Sequence, residues 1–223
     1  MTFENLRSIQ FNKDQIVMAV THSPLRAGHL GLCFHSEDDG PKLWHLAWHR
    51  FVHLDALPQD LGDDCWIGAV LAVPAVLSRQ LVATIRVAAK LGPRINYGLN
   101  FLASRGSFNA SGEYTPPEGS DGLTCASFVL EVLRSKAVDL VRSETWRESQ
   151  ENVEWAELVC GQLPSVHAAA VRRNINGLRL RPYELAGASQ ISYQQWPVSF
   201  DQVQEPARQV ERVLNSVCPA QDH

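Results

Sequence analysis

The sequence lacks a long apolar run and an excess of basic residues, and each lack excludes a class of protein. The chain has 223 residues, and no apolar stretch approaches the roughly 18 residues that a membrane-spanning helix requires. Its 20 Lys and Arg are outnumbered by 24 Asp and Glu, which gives a formal net charge of −4. Without a basic run, an interface for nucleic acid or an anionic membrane surface is not expected. We therefore expect no membrane span, no nucleic-acid partner, and small or neutral ligands.

Paired cysteine motifs are missing as well. The five cysteines are scattered and odd in number, and they form neither a CxxC zinc element nor a disulfide framework. The N-terminal segment MTFENLRSIQFNKDQ is polar and lacks the apolar centre of a signal peptide. These features predict a chain that is cytoplasmic as synthesised and has free thiols, of which at least one is available for chemistry.

The hydrophobic pattern predicts strands first and helices afterwards. A hydrophobic content of 45% is enough for a well-filled core. Alternating apolar residues in the first third predict an antiparallel meander, with strands within 14–22, 27–35, 42–49 and 65–73. Apolar residues spaced three to four apart then predict helices, at 77–91, from 125 onward, at 150–162, at 164–174 and around 207–214. Residues 181–199 are expected to be mostly irregular.

A long segment rich in glycine, serine and proline, residues 103–122, precedes the helix that starts at residue 125. Loops of this length inside a compact domain are often functional. We therefore expect this loop to flank a substrate cleft.

Cys125 occupies the position in the chain that best suits a nucleophile. Thr124 is a suitable helix cap, so Cys125 lies in the first turn, where unpaired backbone N–H groups and the helix dipole favour a thiolate. The alternative is a buried cysteine that acts as a small hydrophobic residue. A histidine base nearby would favour the nucleophile.

Two histidines are candidates for that base and its partner. In the second predicted strand His29 shares a face with Gly31, and in the third His45 alternates with large apolar residues. If the two strands pair across the turn at 36–42, His45 lies near His29 on one face.

Zinc bound by the histidines of this region is the alternative. We expect no metal, because the histidines are too widely spaced on each strand and no HxxxH or CxxC element is present. The other histidines fall into two groups: His35, His49 and His53 are expected at solvated strand ends or turns, and His22, His167 and His223 have no predicted partner.

Together these motifs resemble a known superfamily. The segment GHLGLCF…LWHLAWH is similar to the His-x-Gly strand and following His strand of NlpC-type, papain-like cysteine hydrolases, and DGLTCASFVLEVL is similar to their nucleophile helix. Here the cysteine follows the histidines, which resembles the circularly permuted branch that includes lecithin retinol acyltransferase-like proteins. RINYGLNFLAS resembles the tyrosine segment of that branch. The resemblance covers roughly residues 15 to 135.

The resemblance implies an α+β, papain-like fold with an antiparallel sheet packed against helices. It implies a catalytic core at 1–140. Residues 141–223 have no counterpart in the resemblance, and we expect them to form a helical C-terminal extension that packs on the core as one structural domain and offers a surface for a protein partner. The implied catalytic residues are Cys125, His29 and His45. The resemblance implies that Tyr97 forms a wall of the active site. Thr124 stands where the family has an acidic residue directly before the cysteine, and Asp121 lies three residues further back; we expect both to contribute to substrate binding.

The implied reaction is hydrolysis of an amide bond, of peptide or peptidoglycan type, without a cofactor. His29, near its ordinary pKa of about 6.5, takes the thiol proton and holds a thiolate–imidazolium pair, and Cys125 attacks the acyl carbon to form a thioester. His45 fixes the tautomer of His29. Three alternatives remain open: an acyltransferase or thioesterase, a lipid-acyl hydrolase, and a non-catalytic binding module of the same fold. A cell-wall substrate would require non-classical export, for example as a secreted effector.

Overall fold

The protein is an α+β structure built on a six-stranded antiparallel sheet with six helices. The structure is a computed structural model that describes residues 2–23, 27–36, 39–102 and 106–219. The sheet has the order β1-β6-β2-β3-β4-β5. Its strands are β1 (Glu4–Asn5), β2 (Ile16–Thr21), β3 (His29–Ser36), β4 (Gly40–Trp48), β5 (Phe51–Ala56) and β6 (Trp66–Val70).

Helices cover one face of the sheet and build most of the C-terminal half. They are α1 (Ala75–Leu91), α2 (Cys125–Arg134), α3 (Gln150–Gln162), α4 (Ser165–Arg172), α5 (Pro182–Gln190) and α6 (Phe200–Val217). A small hairpin of β7 (Ser107–Phe108) and β8 (Tyr114–Thr115) precedes α2. No helix in the described part of the chain is both long and apolar enough to cross a bilayer.

The predicted strands are confirmed as β2, β3, β4 and β6, and the meander runs from β2 to β5. The strand β5 was not predicted. It lies at the edge of the sheet, where only part of each side chain is covered, so its hydrophobic signal is weak. The register of β3 and β4 pairs Leu32 with Trp44 and Cys33 with Leu43.

The alternation of β3 separates two clusters of buried side chains. Leu30 and Leu32 face the main core together with α1 and α2, whereas Cys33 belongs to a smaller cluster on the opposite face with Leu43 and Trp66. This two-sided burial is why β3 reads as a nearly continuous apolar run.

The prediction that residues 181–199 are mostly irregular is wrong, because α5 lies within them. Pro182 stands in its first turn, a favourable position for proline, and Glu184 accepts a hydrogen bond from the backbone N–H of Arg181. Gly187 allows close contact with α6, since a Cβ there would lie 2.6 Å from the backbone nitrogen of Ala207. The helix depends on this contact, which the sequence pattern does not display.

Contrary to the prediction that the loop at 103–122 flanks the cleft, none of its described residues, 106–122, lines the main cavity. Residues 103–105 lie outside the described residues. In the remainder, Phe108 is buried against Trp44 and Phe128, and a Cβ at Gly112 would lie 2.6 Å from the backbone of Ala88 in α1. Residues 107–115 of this loop form a hairpin that packs against the main core through Phe108.

The segment 141–223 shares the main core with the rest of the chain. Leu185 of α5 and Leu214 of α6 belong to the same buried cluster as Val20 and Leu30. A disulfide joins Cys65, just before β6, to Cys218, just after α6. The prediction that the cysteines form no disulfide is therefore wrong. The two residues are 153 positions apart, so no short spacing pattern could indicate the pair.

Candidate active site

A cavity of about 360 Å³ lies between the start of α2, the start of β3 and the C-terminal segment. It brings together four residues that the sequence analysis selected from distant parts of the chain: His29, Tyr97, Thr124 and Cys125. Tyr97 is buried and its ring lies 4.8 Å from that of Trp48, another lining residue. These aromatic rings give the cavity an apolar wall.

Cys125 is the first residue of α2, as predicted, and Thr124 caps the helix. The Thr124 hydroxyl accepts a hydrogen bond from the backbone N–H of Ser127 at 3.2 Å. Burial raises the pKa of the Cys125 thiol above its ordinary value. The backbone N–H groups of Leu30, Ala126 and Cys125 itself oppose this rise.

The ring of His29 is hydrogen-bonded to the ring of His45. Nε2 of His29 and Nδ1 of His45 are 2.7 Å apart, and the ring planes are at 80°. Gly31 makes this arrangement possible, because a Cβ at that position would lie 2.9 Å from the Cβ of His45. The predicted contact between the two histidine rings is confirmed.

A third member of this chain of hydrogen bonds, Asp55, was not predicted. Nε2 of His45 lies 2.9 Å from Oδ2 of Asp55, which stands on the edge strand β5. The signal in the sequence was the alternation of Phe51, His53 and Asp55 in FVHLDA. It was missed together with the strand that carries it.

Asp55 decides where the protons of both histidines lie. A carboxylate only accepts hydrogen bonds, so His45 carries its proton on Nε2 and presents Nδ1 as an acceptor. His29 must then carry its proton on Nε2, which leaves Nδ1 with a free lone pair. The hydrogen-bond network thus selects the tautomer of His29 that can act as a base at Nδ1.

The pKa values differ from the expected thiolate–imidazolium pair. Burial, followed by the neighbouring His45 and His53, lowers the pKa of His29 to about 3, while Asp55 opposes this effect. Burial also raises the pKa of Cys125. Both shifts favour a neutral thiol beside a neutral imidazole at pH 7, so the ion pair is not expected in the resting protein.

Asp121, a predicted substrate-binding residue, does not line the cavity. Its Oδ1 accepts a hydrogen bond from the backbone N–H of Asn100 at 3.2 Å, and its Oδ2 accepts one from the side chain of Asn174 at 3.4 Å. The side chain is buried. Asp121 therefore holds the loop before α2 in place, and we do not assign it to substrate binding.

Arg179 is a residue of the cavity that the sequence analysis missed. It lies between α4 and α5, lines the cavity, and stacks on Trp155 with its guanidinium carbon 3.4 Å from the ring centre. Burial is the main cause that lowers its pKa to about 10, so it stays cationic at neutral pH. Its charge opposes the rise in the pKa of Cys125. A lone arginine in an irregular segment gives no motif.

The remaining histidines have several partners that the sequence did not indicate. Nε2 of His167 lies 2.7 Å from the carbonyl oxygen of Tyr97, and the His167 ring lies 4.3 Å from that of His49. Nε2 of His22 lies 2.7 Å from the carbonyl oxygen of Cys218. His223 lies outside the described residues.

One group within the described residues has the composition of a metal site: His45, His53 and Asp55 offer ligand atoms within 4.8 Å of one another. Both ring nitrogens of His45 already have partners, namely His29 and Asp55. A metal ion would have to displace the bond from His45 to Asp55. The third member, His53, has its Nδ1 3.8 Å from Oδ1 of Asp55.

Comparison with protein-family models, with curated proteins and with solved structures finds no match for this chain. The resemblance to permuted papain-like hydrolases thus stays a prediction based on the motifs.

Proposed function

We propose that the protein is a thiol hydrolase of the permuted papain-like kind, which cleaves an amide bond of a peptide or peptidoglycan-type substrate through a thioester on Cys125. The observation that carries this proposal is that Cys125 and His29 line one cavity while His29 is bonded to His45 and Asp55. His45 and Asp55 are positioning residues, since they act through His29.

In the proposed reaction Nδ1 of His29 takes the proton of the Cys125 thiol as the sulfur attacks the carbonyl carbon. The neutral resting pair makes this a general-base step that accompanies attack, rather than attack by a thiolate formed beforehand. The imidazolium then gives its proton to the leaving amine. Water, deprotonated by the same nitrogen, hydrolyses the thioester and regenerates the thiol. Backbone N–H groups at the start of α2 would bind the oxyanion, an effect of about 3–4 kcal/mol per donor in acyl transfer.

The test uses two probes, a mixture of peptidoglycan peptides and p-nitrophenyl butyrate, with product release and the intact mass of the protein as readouts. We expect a transient acyl adduct on Cys125 and loss of at least about 10⁴-fold in rate for Cys125→Ala, since a nucleophile is removed outright. Cys160→Ala, which removes a free cysteine outside the cavity, should retain the wild-type rate. Turnover by Cys125→Ala would contradict the proposal.

A non-catalytic binding module is the second candidate. The observation in its favour is that burial raises the pKa of Cys125 and lowers that of His29, the reverse of an activated pair. A binding module predicts no acyl adduct and no turnover with either probe.

The disulfide bears on where the protein acts. Disulfides persist in oxidising compartments and are rare in reducing cytosol. The Cys65–Cys218 bond supports the expected alternative of export over function in the cytoplasm. If the protein recovered from its native cells under alkylating conditions carries both thiols reduced, this part of the proposal is rejected.

A further inference from the structure

Arg179 carries a positive charge that forms no ion pair with a described acidic side chain, although Glu184 acts on it electrostatically. Among the described residues, no carboxylate lies within 4.0 Å of its guanidinium, and its one specific contact is the stack on Trp155. Its neighbours in the chain differ in this respect: Arg181 pairs with Glu151 at 2.8 Å, and Arg172 pairs with Glu157 at 3.1 Å.

An unpaired charge in a largely covered position is costly, so proteins seldom keep one without a partner. The backbone at Arg179 is anchored, because the next residue in the chain, Leu180, is buried in the main core. The indole of Trp155 covers one face of the guanidinium, and the N–H groups at the edge of the group remain available for hydrogen bonds. The stack therefore fixes the orientation of a donor group that lacks an acceptor.

The same charge acts on the proposed catalytic residue. Cys125 and Tyr97 both interact electrostatically with Arg179, and all three residues line one cavity. A ligand held by Arg179 would thus lie beside the sulfur.

We propose that Arg179 forms an anion subsite beside Cys125, which binds a carboxylate of the substrate. The planar fork of a guanidinium matches the two oxygens of a carboxylate, and one positive charge balances one negative charge. This inference rests on the proposed function and deepens it: the acyl substrate carries a free carboxylate near the bond that is cleaved, as does a peptide with an acidic or terminal residue at that place. The C-terminal segment, whose role the sequence did not reveal, supplies the specificity.

The experiment compares alkylation of Cys125 by an anionic and a neutral reagent of the same shape. Iodoacetate and iodoacetamide form one pair. The second pair, 4-(iodoacetamido)butyrate and its carboxamide, has a longer distance between the reacting carbon and the carboxylate, so the test covers a short and a long separation between the sulfur and the guanidinium. Peptide mapping separates Cys125 from the other free cysteines, Cys33 and Cys160. We expect one anionic reagent to react saturably, and its rate relative to the neutral analogue to fall about tenfold or more in Arg179→Gln.

Two further variants isolate the charge. Arg179→Lys keeps the charge and should retain part of the preference for the anionic reagent. Arg147→Gln removes an exposed arginine that pairs with Asp201 and does not line the cavity, and it should behave as wild type. If both reagents label Cys125 and the ratio is the same in Arg179→Gln, the anion subsite is wrong while the nucleophile stands.

A second measurement does not depend on the thiol. The side-chain Nε–H signal of Arg179 in NMR spectra, assigned by its loss in Arg179→Gln, should shift saturably with glutarate and stay unchanged with glutaramide. If neither reagent labels Cys125 but glutarate shifts this signal, the proposed thiol chemistry fails and the anion subsite stands. Absence of any shift with glutarate overturns the subsite.

Discussion

Proton placement in the site depends on a single carboxylate at the edge of the sheet. Asp55 fixes the proton of His45 on Nε2, and His45 in turn fixes that of His29. Since Asp55 is one-quarter exposed, water competes for its oxygens and weakens its hydrogen bond with His45. The main role of this bond is therefore to place the His45 proton, rather than to stabilise the fold. A neutral amide at this position would lose that control, because it can donate as well as accept.

Asp55→Asn should lower kcat by about 10–1000-fold and change KM little. An amide that donates to Nε2 of His45 reverses the chain of protons, so His29 would present N–H instead of a lone pair at Nδ1. This loss in rate corresponds to a rise of about 1.4–4 kcal/mol in the activation free energy. The check is nitrogen NMR of the histidine rings, which should show the second tautomer of His29 in the variant.

The matched control is Asp39→Asn. It removes an exposed aspartate that lies 3.6 Å from Lys42 and is not a partner of the His29 or His45 ring nitrogens in their hydrogen-bond chain. Wild-type kcat and ring signals are expected. A normal His29 tautomer in Asp55→Asn, together with full activity, would show that Asp55 does not position the pair.

The low pKa of His29 predicts how stability changes with pH. The unfolded chain binds a proton at this residue below about pH 6.5, whereas the folded protein does so only near pH 3. Stability from this group is therefore complete above pH 6.5 and is lost as the pH falls toward 3. The loss approaches about 1.4 kcal/mol per pH unit.

Urea unfolding at pH 7 and pH 4.5 measures the effect. The drop in unfolding free energy between the two values should be smaller in His29→Gln than in wild type, by roughly 2–3 kcal/mol. The control His35→Gln changes a partly exposed histidine at the far end of the same strand. It shows whether loss of any histidine is enough to reduce the drop in unfolding free energy. Equal drops in wild type and His29→Gln would refute the assigned shift.

Residues of the site differ in how far the sequence could predict them. His29 and His45 lie on strands that are adjacent in the sequence and paired in the sheet, so alternation and pairing were enough to bring them together. Asp55 required the next strand, whose pattern was weak. Arg179 reaches Cys125 through packing between segments some 50 residues apart, and neither period nor spacing reports such contacts.

Among the elements, those with strong periodicity or clear caps were predicted. Ser149 caps α3 by accepting a hydrogen bond from Asn152, and Thr124 caps α2 in the same way. By contrast, α5 contains small residues that pack against α6. The β7–β8 hairpin contains Gly112 and is followed directly by Pro116 and Pro117, a composition typical of a loop. In both cases tertiary contacts outweigh local preference.

The β7–β8 hairpin should contribute to the free energy of unfolding as a part of the hydrophobic core does. Phe108 is buried against Trp44 and Phe128, so Phe108→Ala removes a ring that joins the hairpin to β4 and α2. We expect a loss of about 3–5 kcal/mol in unfolding free energy, measured by urea denaturation. Phe51→Ala, at a phenylalanine that is 62% exposed, should cost far less. Similar small losses in both variants would mean that the hairpin acts as a peripheral loop.

For the whole molecule, the C-terminal segment is part of the fold and of the site. Leu185 and Leu214 complete the main core, Arg179 and Trp155 line the cavity, and Cys218 is bonded to Cys65. A truncation near residue 140 would expose the core and remove one wall of the cavity. We therefore expect the proposed catalytic unit to require α6 as well as residues 1–140.

The disulfide links the C-terminal segment covalently to the sheet. Its removal should lower the free energy of unfolding without abolishing the site. It closes a loop of 153 residues, and cross-links of this kind typically contribute about 2–5 kcal/mol by restricting the unfolded chain. Cys65→Ser combined with Cys218→Ser should lose an amount in this range in urea unfolding under oxidising conditions. A reductant should lower the stability of wild type by a similar amount and leave the double variant unchanged.

Because neither sulfur lines the cavity, labelling of Cys125 in the folded double variant should match wild type. Equal sensitivity of both proteins to the reductant would show that the bond does not form, and it would also remove the support for an oxidising compartment.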